Sequence, residues 1–108
     1  MAQFDVYRNP GSRRATHPYL VVVQSNRYSQ LATRLVMPLV LRTIAASADI
    51  LENYLTPGFT IEGREVFLNP FDTTPVPVQR LGDPVATFIE DDRARSAIIR
   101  AIDEVLSQ

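Results

Sequence analysis

The sequence predicts a small, mainly β fold, a strongly bent β barrel or open sheet, with one α-helix packed on it at the C-terminal end. Short apolar or alternating segments of strand length recur along most of the chain, and turns rich in Pro and Gly separate them. The last segment instead carries apolar residues at helical spacing. Many short strands followed by a single helix are typical of one β layer covered by that helix.

Two strands are expected in the first quarter of the chain. Residues 3–7 alternate with period two, and residues 8–12 contain the Asn, Pro and Gly of a turn. Residues 19–23 form a continuous apolar run, which is typical of a strand buried on both faces or at a dimer seam.

A third apolar run covers residues 35–41. Its Pro38 cannot donate a hydrogen bond to a β ladder, so it marks an edge strand or a bulge. Four apolar residues at helical spacing follow, and periodicity alone predicts a short helix through them: Ile44, Ala48, Leu51 and Leu55.

Two further β segments are expected before the terminal helix. Residues 59–68 are typical of a hairpin that turns near Gly63. Residues 76–81 form an edge strand that tolerates proline, and residues 82–84 close it with Gly, Asp and Pro.

Residues 91–108 are expected to form the terminal helix. Glu90, Asp91 and Asp92 open it, supply an Asp N-cap and place negative charge at the positive end of the helix dipole. The same three carboxylates have the composition of a metal site, but capping is the more common role at a helix start, and we expect no metal. Six residues at the spacing of one apolar stripe follow: Ala94, Ala97, Ile98, Ala101, Ile102 and Val105.

Composition narrows the class of protein. The chain has 108 residues, enough for one domain over residues 1–108 with a core of its own. No apolar run approaches the roughly 20 residues of a membrane span, and the N-terminus has no signal peptide, so a soluble, cytoplasmic protein is expected. There is no Cys, which excludes disulfides and thiolate chemistry, and the net charge of -1 argues against general binding to a phosphate backbone.

The chain has few residues of the types that catalysis requires, so we expect neither an enzyme nor a cofactor. The chain has one His, His17, directly before Pro18, and we interpret it as a loop residue rather than a general base. No nucleotide-binding loop, zinc motif or nucleophile elbow occurs. Arg13 and Arg14 are typical of a solvated turn. Four scattered tyrosines are expected to pack rather than to stack on bases: Tyr7, Tyr19, Tyr28 and Tyr54.

Several short segments nevertheless occur in an order that resembles the CcdB family of toxins from toxin–antitoxin operons. They are residues 3–7, 23–26, 34–39, 76–78 with Gly82, 85–86 and 101–102. The resemblance implies a small SH3-like barrel of the CcdB and MazF type with a C-terminal helix, and a homodimer. It also implies a CcdA-like antitoxin whose disordered tail wraps the toxin. The toxin would contact DNA only indirectly, through this antitoxin. For the stretch after residue 42 it implies loop and strand instead of a helix.

The resemblance further implies a target. In family members of known action the toxin binds the A subunit of DNA gyrase and traps the cleaved DNA complex, by binding and not by hydrolysis. The gyrase-facing surface there is built from the first strand, the loop after the second strand and the end of the helix, which finishes in Trp-Gly-Ile.

Carried over to this sequence, that surface contains residues that keep the family's identity and residues that depart from it. Gln3, Phe4, Tyr7 and Ser25 match the family. Asp103 stands where the family has Asn, and Arg27 and Tyr28 stand where it has Ile. Leu106 precedes Ser107 and Gln108, which take the Trp and Gly places, and the chain ends before the Ile. Such an aromatic anchor commonly carries about 2 to 4 kcal/mol of an interface, and its loss, together with the two charge substitutions nearby, is expected to cost roughly 10- to 1000-fold in affinity.

Three functions are consistent with these observations. The first is a gyrase-binding toxin neutralised by its antitoxin. The second is a protein of the same fold that has lost gyrase poisoning and serves as an antitoxin-binding, regulatory module. The third is an mRNA endonuclease like those of the MazF group, in which Arg13, Arg14 and Asp5 would provide acid–base chemistry.

Overall fold

The computed structural model describes residues 2–28, 30–47 and 57–106, which form one bent, nearly closed sheet and two α-helices. The strands are β1 (Asp5–Arg8), β2 (Tyr19–Val22), β3 (Thr33–Leu41), β4 (Gly58–Ile61), β5 (Arg64–Leu68), β6 (Thr74–Pro77) and β7 (Ala86–Thr87). The helices are α1 (Arg42–Ser47) and α2 (Asp92–Leu106), and short 3-10 helices lie at Asn26–Tyr28, Pro70–Asp72 and Val78–Arg80. The predicted mainly β fold with a C-terminal helix, and the SH3-like barrel, are confirmed. None of the described helices has both the length and the apolar character of a membrane span.

The nine-residue strand β3 organises the sheet, whose order is β4-β5-β3-β2-β1-β7 with β6 also paired to β3. On one side β3 pairs with β2 throughout residues 36–39. On the other side it pairs first with β6, through Val36, and then with β5, from Leu39. Pro38 lies between these two partners, so the ladder loses no hydrogen bond through the absence of its N–H. Pro38 was predicted to mark an edge strand or a bulge, and the edge strand is wrong because β3 lies inside the sheet.

The predicted hairpin is confirmed, with its turn at Glu62 and Gly63 between β4 and β5. Both residues have positive φ, 52° and 77° respectively, as the tightest hairpin turns require. The Glu62 carboxylate accepts hydrogen bonds from the Tyr19 hydroxyl at 2.8 Å and from Arg8 Nε at 3.3 Å. This contact ties the hairpin turn to β1 and β2 and so draws the sheet towards closure.

The sheet buries side chains on both faces. The larger cluster lies under α2 and contains Phe4, Val6, Tyr19, Val21, Met37, Leu39, Ile61, Val66, Leu68, Phe88, Ala94, Ile98 and Ala101. The smaller cluster lies on the other face and contains Tyr7, Leu20, Val22, Val36 and Leu81. Strand β2 sends alternate residues into the two clusters, so it is buried on both faces within a single chain.

Helix α2 begins as the sequence predicts. The Asp91 side chain accepts a hydrogen bond from the Ala94 N–H at 3.0 Å, which is an Asp N-cap. Asp92 forms an ion pair with Arg95 one turn later. Ala94, Ile98 and Ala101 are buried against the sheet, whereas Ile99 is exposed.

Several element boundaries differ from the sequence predictions. The first strand starts at Asp5, since Phe4 has a φ of 74° that no strand residue adopts. The strand expected over residues 76–81 spans Thr74–Pro77 and is followed by a 3-10 helix. The helix predicted from periodicity is present as α1, Arg42–Ser47, where the family resemblance implied loop and strand. Ala48, Leu51 and Leu55 lie outside the described residues.

The hairpin turn provides a test of the fold. Gly63 has positive φ with open space around the position of a Cβ, whereas Gly82 has equally open space without positive φ. We expect Gly63→Ala to lower the free energy of unfolding by about 1 kcal/mol through backbone strain alone. The matched Gly82→Ala should stay within about 0.5 kcal/mol of the wild type. Urea denaturation measures both, and equal effects of the two substitutions would contradict the assigned turn.

Candidate functional site

The start of the chain and the loop after β2, residues 23–28, are joined into one surface, and we refer to that loop as the tip loop. The Gln3 N–H donates to Asn26 Oδ1 at 2.8 Å, and the Gln3 side-chain amide donates to the Val23 carbonyl at 3.1 Å. Gln3 thus contacts the tip loop with both its backbone and its side chain. Two of the three regions that the family resemblance implies are therefore adjacent.

Ser25 starts the short helical turn of the tip loop. Its hydroxyl accepts a hydrogen bond from the Arg27 N–H at 3.2 Å, and its carbonyl accepts one from the Tyr28 N–H at 3.1 Å. A serine at this position is a common turn former because its hydroxyl replaces a backbone acceptor. The turn leaves Arg27 and Tyr28 on the surface, with 55% of Tyr28 exposed.

Gln24 is a residue of this surface that sequence reasoning missed. Its side-chain N–H donates to the Tyr28 carbonyl at 3.0 Å, and its side-chain oxygen accepts from the Leu35 N–H at 3.2 Å. The first bond closes the tip loop on itself, and the second fastens it to the start of β3. An apolar surface lies beside them, because Leu31 and Leu35 are 54% and 41% exposed. Nothing in the sequence pattern distinguishes this Gln from a solvated one.

Phe4 and Tyr7 lie under the surface and not on it. Phe4 is buried in the larger cluster. Its backbone is left-handed and is held by two hydrogen bonds: the Phe4 N–H donates to the Val22 carbonyl, and the Phe4 carbonyl accepts from the Phe88 N–H. A bulky residue rarely adopts this conformation, which costs about 1 to 3 kcal/mol and marks functional sites more often than other places. Tyr7 is buried in the smaller cluster, and burial, followed by the charge of Asp5, raises its pKa. Both side chains therefore support their neighbours and do not offer contact area themselves.

The third region that the family resemblance implies is the end of helix α2. Ile102 packs against the larger cluster, which also contains Phe4 and against which Val23 packs. The next residue, Asp103, is exposed. Leu106 is the last residue of α2. Ser107 and Gln108 lie outside the described residues, as does the side chain of Leu106.

A second polar cluster lies in the loop before β2 and is centred on His17. The imidazole is buried, with 8% exposed, and its Nε2 is 2.8 Å from Arg13 Nη2 while its Nδ1 is 2.7 Å from the Thr16 hydroxyl. Since arginine can only donate, Nε2 accepts and Nδ1 carries the proton. The Thr16 hydroxyl then accepts from Nδ1 and donates to the Arg13 carbonyl at 3.3 Å. Every bond is satisfied by a neutral imidazole, and burial, followed by the charge of Arg13, lowers the pKa of His17.

The remaining predicted groupings are not brought together. Arg13 forms an ion pair with Asp72 at 3.5 Å and so is not simply a solvated turn residue. Asp5 instead accepts a hydrogen bond from the Ala2 N–H and lies at the far end of β1, roughly 10 Å along the strand from the loop that carries Arg13. In the described part of the chain no three His, Asp or Glu residues are placed to hold a metal ion.

The family model described as CcdB protein matches residues 3–107. A search of the curated proteins finds no match to the chain.

The buried His17 should make the protein sensitive to acid. A histidine whose folded pKa lies below its ordinary value, about 6.5, contributes stability that is fully present above that value and is lost as the pH falls through the folded pKa. His17→Gln keeps an acceptor for Arg13 but does not titrate. We therefore expect the free energy of unfolding, measured in urea between pH 7.5 and pH 5, to fall more steeply for the wild type than for this variant. Parallel curves would show that His17 is free to protonate in the fold.

Proposed function

The chain belongs to the CcdB family of toxins, and we propose that it is the toxin of a type II toxin–antitoxin module that binds the A subunit of DNA gyrase and traps the cleaved DNA complex. The family match over residues 3–107 carries this proposal. The mechanism is one of binding, in which a rigid surface of the barrel recognises gyrase and no bond is broken by the toxin itself.

The surface that supports the proposal is the end of the barrel formed by Gln3, the tip loop and the second half of α2. Gln3 fastens the first residues to the tip loop, and Gln24 fastens the tip loop to β3. A loop held by four such bonds loses little conformational entropy when it binds, and this preserves affinity.

Exposed residues at this end have the character of a protein interface. Tyr28, Leu31 and Leu35 present apolar area, and the exposed Arg27 adds a cation at the edge. Tyr and Arg are the residue types most often found among those that dominate binding energy. In the proposed complex Tyr28 is the aromatic anchor, Arg27 and Asp103 provide charge complementarity, and the buried Phe4 and Tyr7 hold the surface in shape.

The proposed partners follow from the family. The toxin acts as a homodimer in the cytoplasm, and a CcdA-like antitoxin neutralises it by wrapping it with a disordered tail. The dimer contacts DNA only through that antitoxin, whose DNA binding it titrates.

Tyr28 provides the first test of the gyrase surface. Purified protein is added to DNA gyrase, ATP and supercoiled plasmid, and linear, protein-linked DNA is quantified. We expect the wild type to accumulate this product and Tyr28→Ala to need roughly 5- to 30-fold more protein for the same yield, as for loss of an aromatic anchor of about 1 to 2 kcal/mol.

Arg14→Ala is the control, because Arg14 is exposed, as Tyr28 is, but lies in the loop before β2, at the other end of that strand from the tip loop. It should shift the yield by no more than about twofold. Similar losses in the two variants would contradict the tip-loop surface. If gyrases of several bacteria gave no cleavage product and the antitoxin tail still bound tightly, the gyrase proposal would be wrong. The protein would then be the antitoxin-binding, regulatory module.

The end of α2 provides the second test, because Ser107 and Gln108 stand where the resemblance places a Trp and a Gly. We expect the double variant Ser107→Trp, Gln108→Gly to bind immobilised gyrase A at least about 10-fold more tightly than the wild type, since a buried Trp restores a central contact. Unchanged affinity would mean that Arg27, Tyr28 and Asp103 have redirected the surface to a different target.

A further inference from the structure

A cleft of about 390 Å³ lies at the opposite end of β2 from the tip loop, and we refer to it as the His17 cleft. Its floor is apolar and is formed by Leu20, Pro38 and Val76. Its rim is charged and is formed by Arg13, Asp72 and Arg80. The size is in the range of clefts that enclose small ligands, and none of the proposed gyrase-facing residues lines it.

The rim has an excess of positive charge. Asp72 compensates one of the two guanidinium groups through its ion pair with Arg13. Among the ion pairs of the described residues none involves Arg80, which is exposed beside the cleft. The neutral His17 adds no charge, so the rim carries a net +1 in a chain whose total charge is -1. An anion is therefore the ligand that this rim favours.

Arg13 is also held in place before any ligand arrives. One of its terminal nitrogens donates to His17 Nε2 at 2.8 Å, and the other lies 3.5 Å from Asp72. His17 is fixed in turn by the Thr16 hydroxyl. A guanidinium whose orientation is already set loses less entropy when it binds an oxyanion, and the N–H groups of Arg13 that face neither His17 nor Asp72 are the ones that can donate to it.

The floor indicates what the anion is attached to. A bare inorganic ion would fill only a small part of the cleft and would leave the half-buried Val76 on its floor uncovered. A flat ring placed on Val76 would use the rest of this space. We propose that the His17 cleft binds a nucleotide, with the phosphate between Arg13 and Arg80 and the base on the apolar floor.

The experiment titrates the purified full chain with 5′-AMP and 5′-UMP and follows heat and backbone amide shifts. Adenosine and inorganic phosphate are the ligand controls, since each carries only half of the proposed ligand. We expect both nucleotides to bind roughly 10-fold or more tightly than either control, with the largest shifts in residues 9–17 and 72–80. No binding, or equal binding of adenosine, would overturn the proposal.

Arg80→Gln is the principal variant, because none of the ion pairs among the described residues involves Arg80. Arg13→Gln tests the other side of the phosphate. Each should weaken nucleotide binding by roughly fivefold or more, the effect of one charge-assisted contact. Arg14→Gln is the matched control, because Arg14 belongs to the same turn but donates to the Gly11 carbonyl and does not line the cleft. An equal loss in Arg14→Gln would show diffuse attraction between charges and would overturn the site.

The phosphate can come from a free nucleotide or from an RNA strand, and a competition separates the two. A short single-stranded RNA that displaces 5′-AMP identifies the strand as the source and supports the site, as does binding of 5′-AMP that RNA leaves unchanged. An acidic peptide that displaces 5′-AMP more effectively than RNA would overturn the assignment of a phosphate.

Discussion

Strand β3 changes its hydrogen-bonding partner at Pro38, and the position of the His17 cleft depends on that change. Before Pro38 the strand pairs with β6, and after it with β5. The Pro38 carbonyl accepts a hydrogen bond from the Asn69 N–H at 3.0 Å, and the Asn69 side chain caps the 3-10 helix that carries Asp72. Asp72 then meets Arg13, which contacts His17. Pro38, which cannot donate a backbone hydrogen bond, is thus placed where no donor is needed. The segment that follows Asn69 then forms one wall of the His17 cleft.

The two ends of β2 have different chemical characters because different loops meet there. At one end the tip loop, which is bonded to Gln3, presents apolar and charged groups to solvent. At the other end the loop before β2 lines a cleft with a basic rim. An exposed surface with an aromatic residue suits a protein partner, whereas a cleft suits a small ligand. The barrel therefore has room for recognition of a macromolecule and a small molecule without competition for the same residues.

Sequence patterns were most informative where one physical requirement decides the structure. The positive φ of a tight turn requires a residue such as Gly63, a helix start requires an acceptor such as Asp91, and a buried strand requires an apolar run, and each prediction was confirmed. Patterns failed where the outcome depends on distant partners. Pro38 could not be assigned to an interior strand without knowing that β6 ends and β5 begins beside it, and the left-handed Phe4 follows from bonds to Val22 and Phe88 that no local pattern contains. The contact between Arg13, beside His17, and Asp72 joins residues that are more than fifty positions apart, so no local pattern predicts it.

The central claim is that the tip-loop end of the barrel is the surface that contacts gyrase. Hydrogen exchange of the protein, with and without an excess of the gyrase A subunit, tests this claim most directly because it needs neither substitution nor enzymatic turnover. We expect backbone amides in the tip loop and in the second half of α2 to exchange more slowly with the gyrase A subunit present. The exchange rates of residues 9–17 and 72–80 should not change. Slower exchange confined to those residues around the His17 cleft, with the tip loop unchanged, would contradict it.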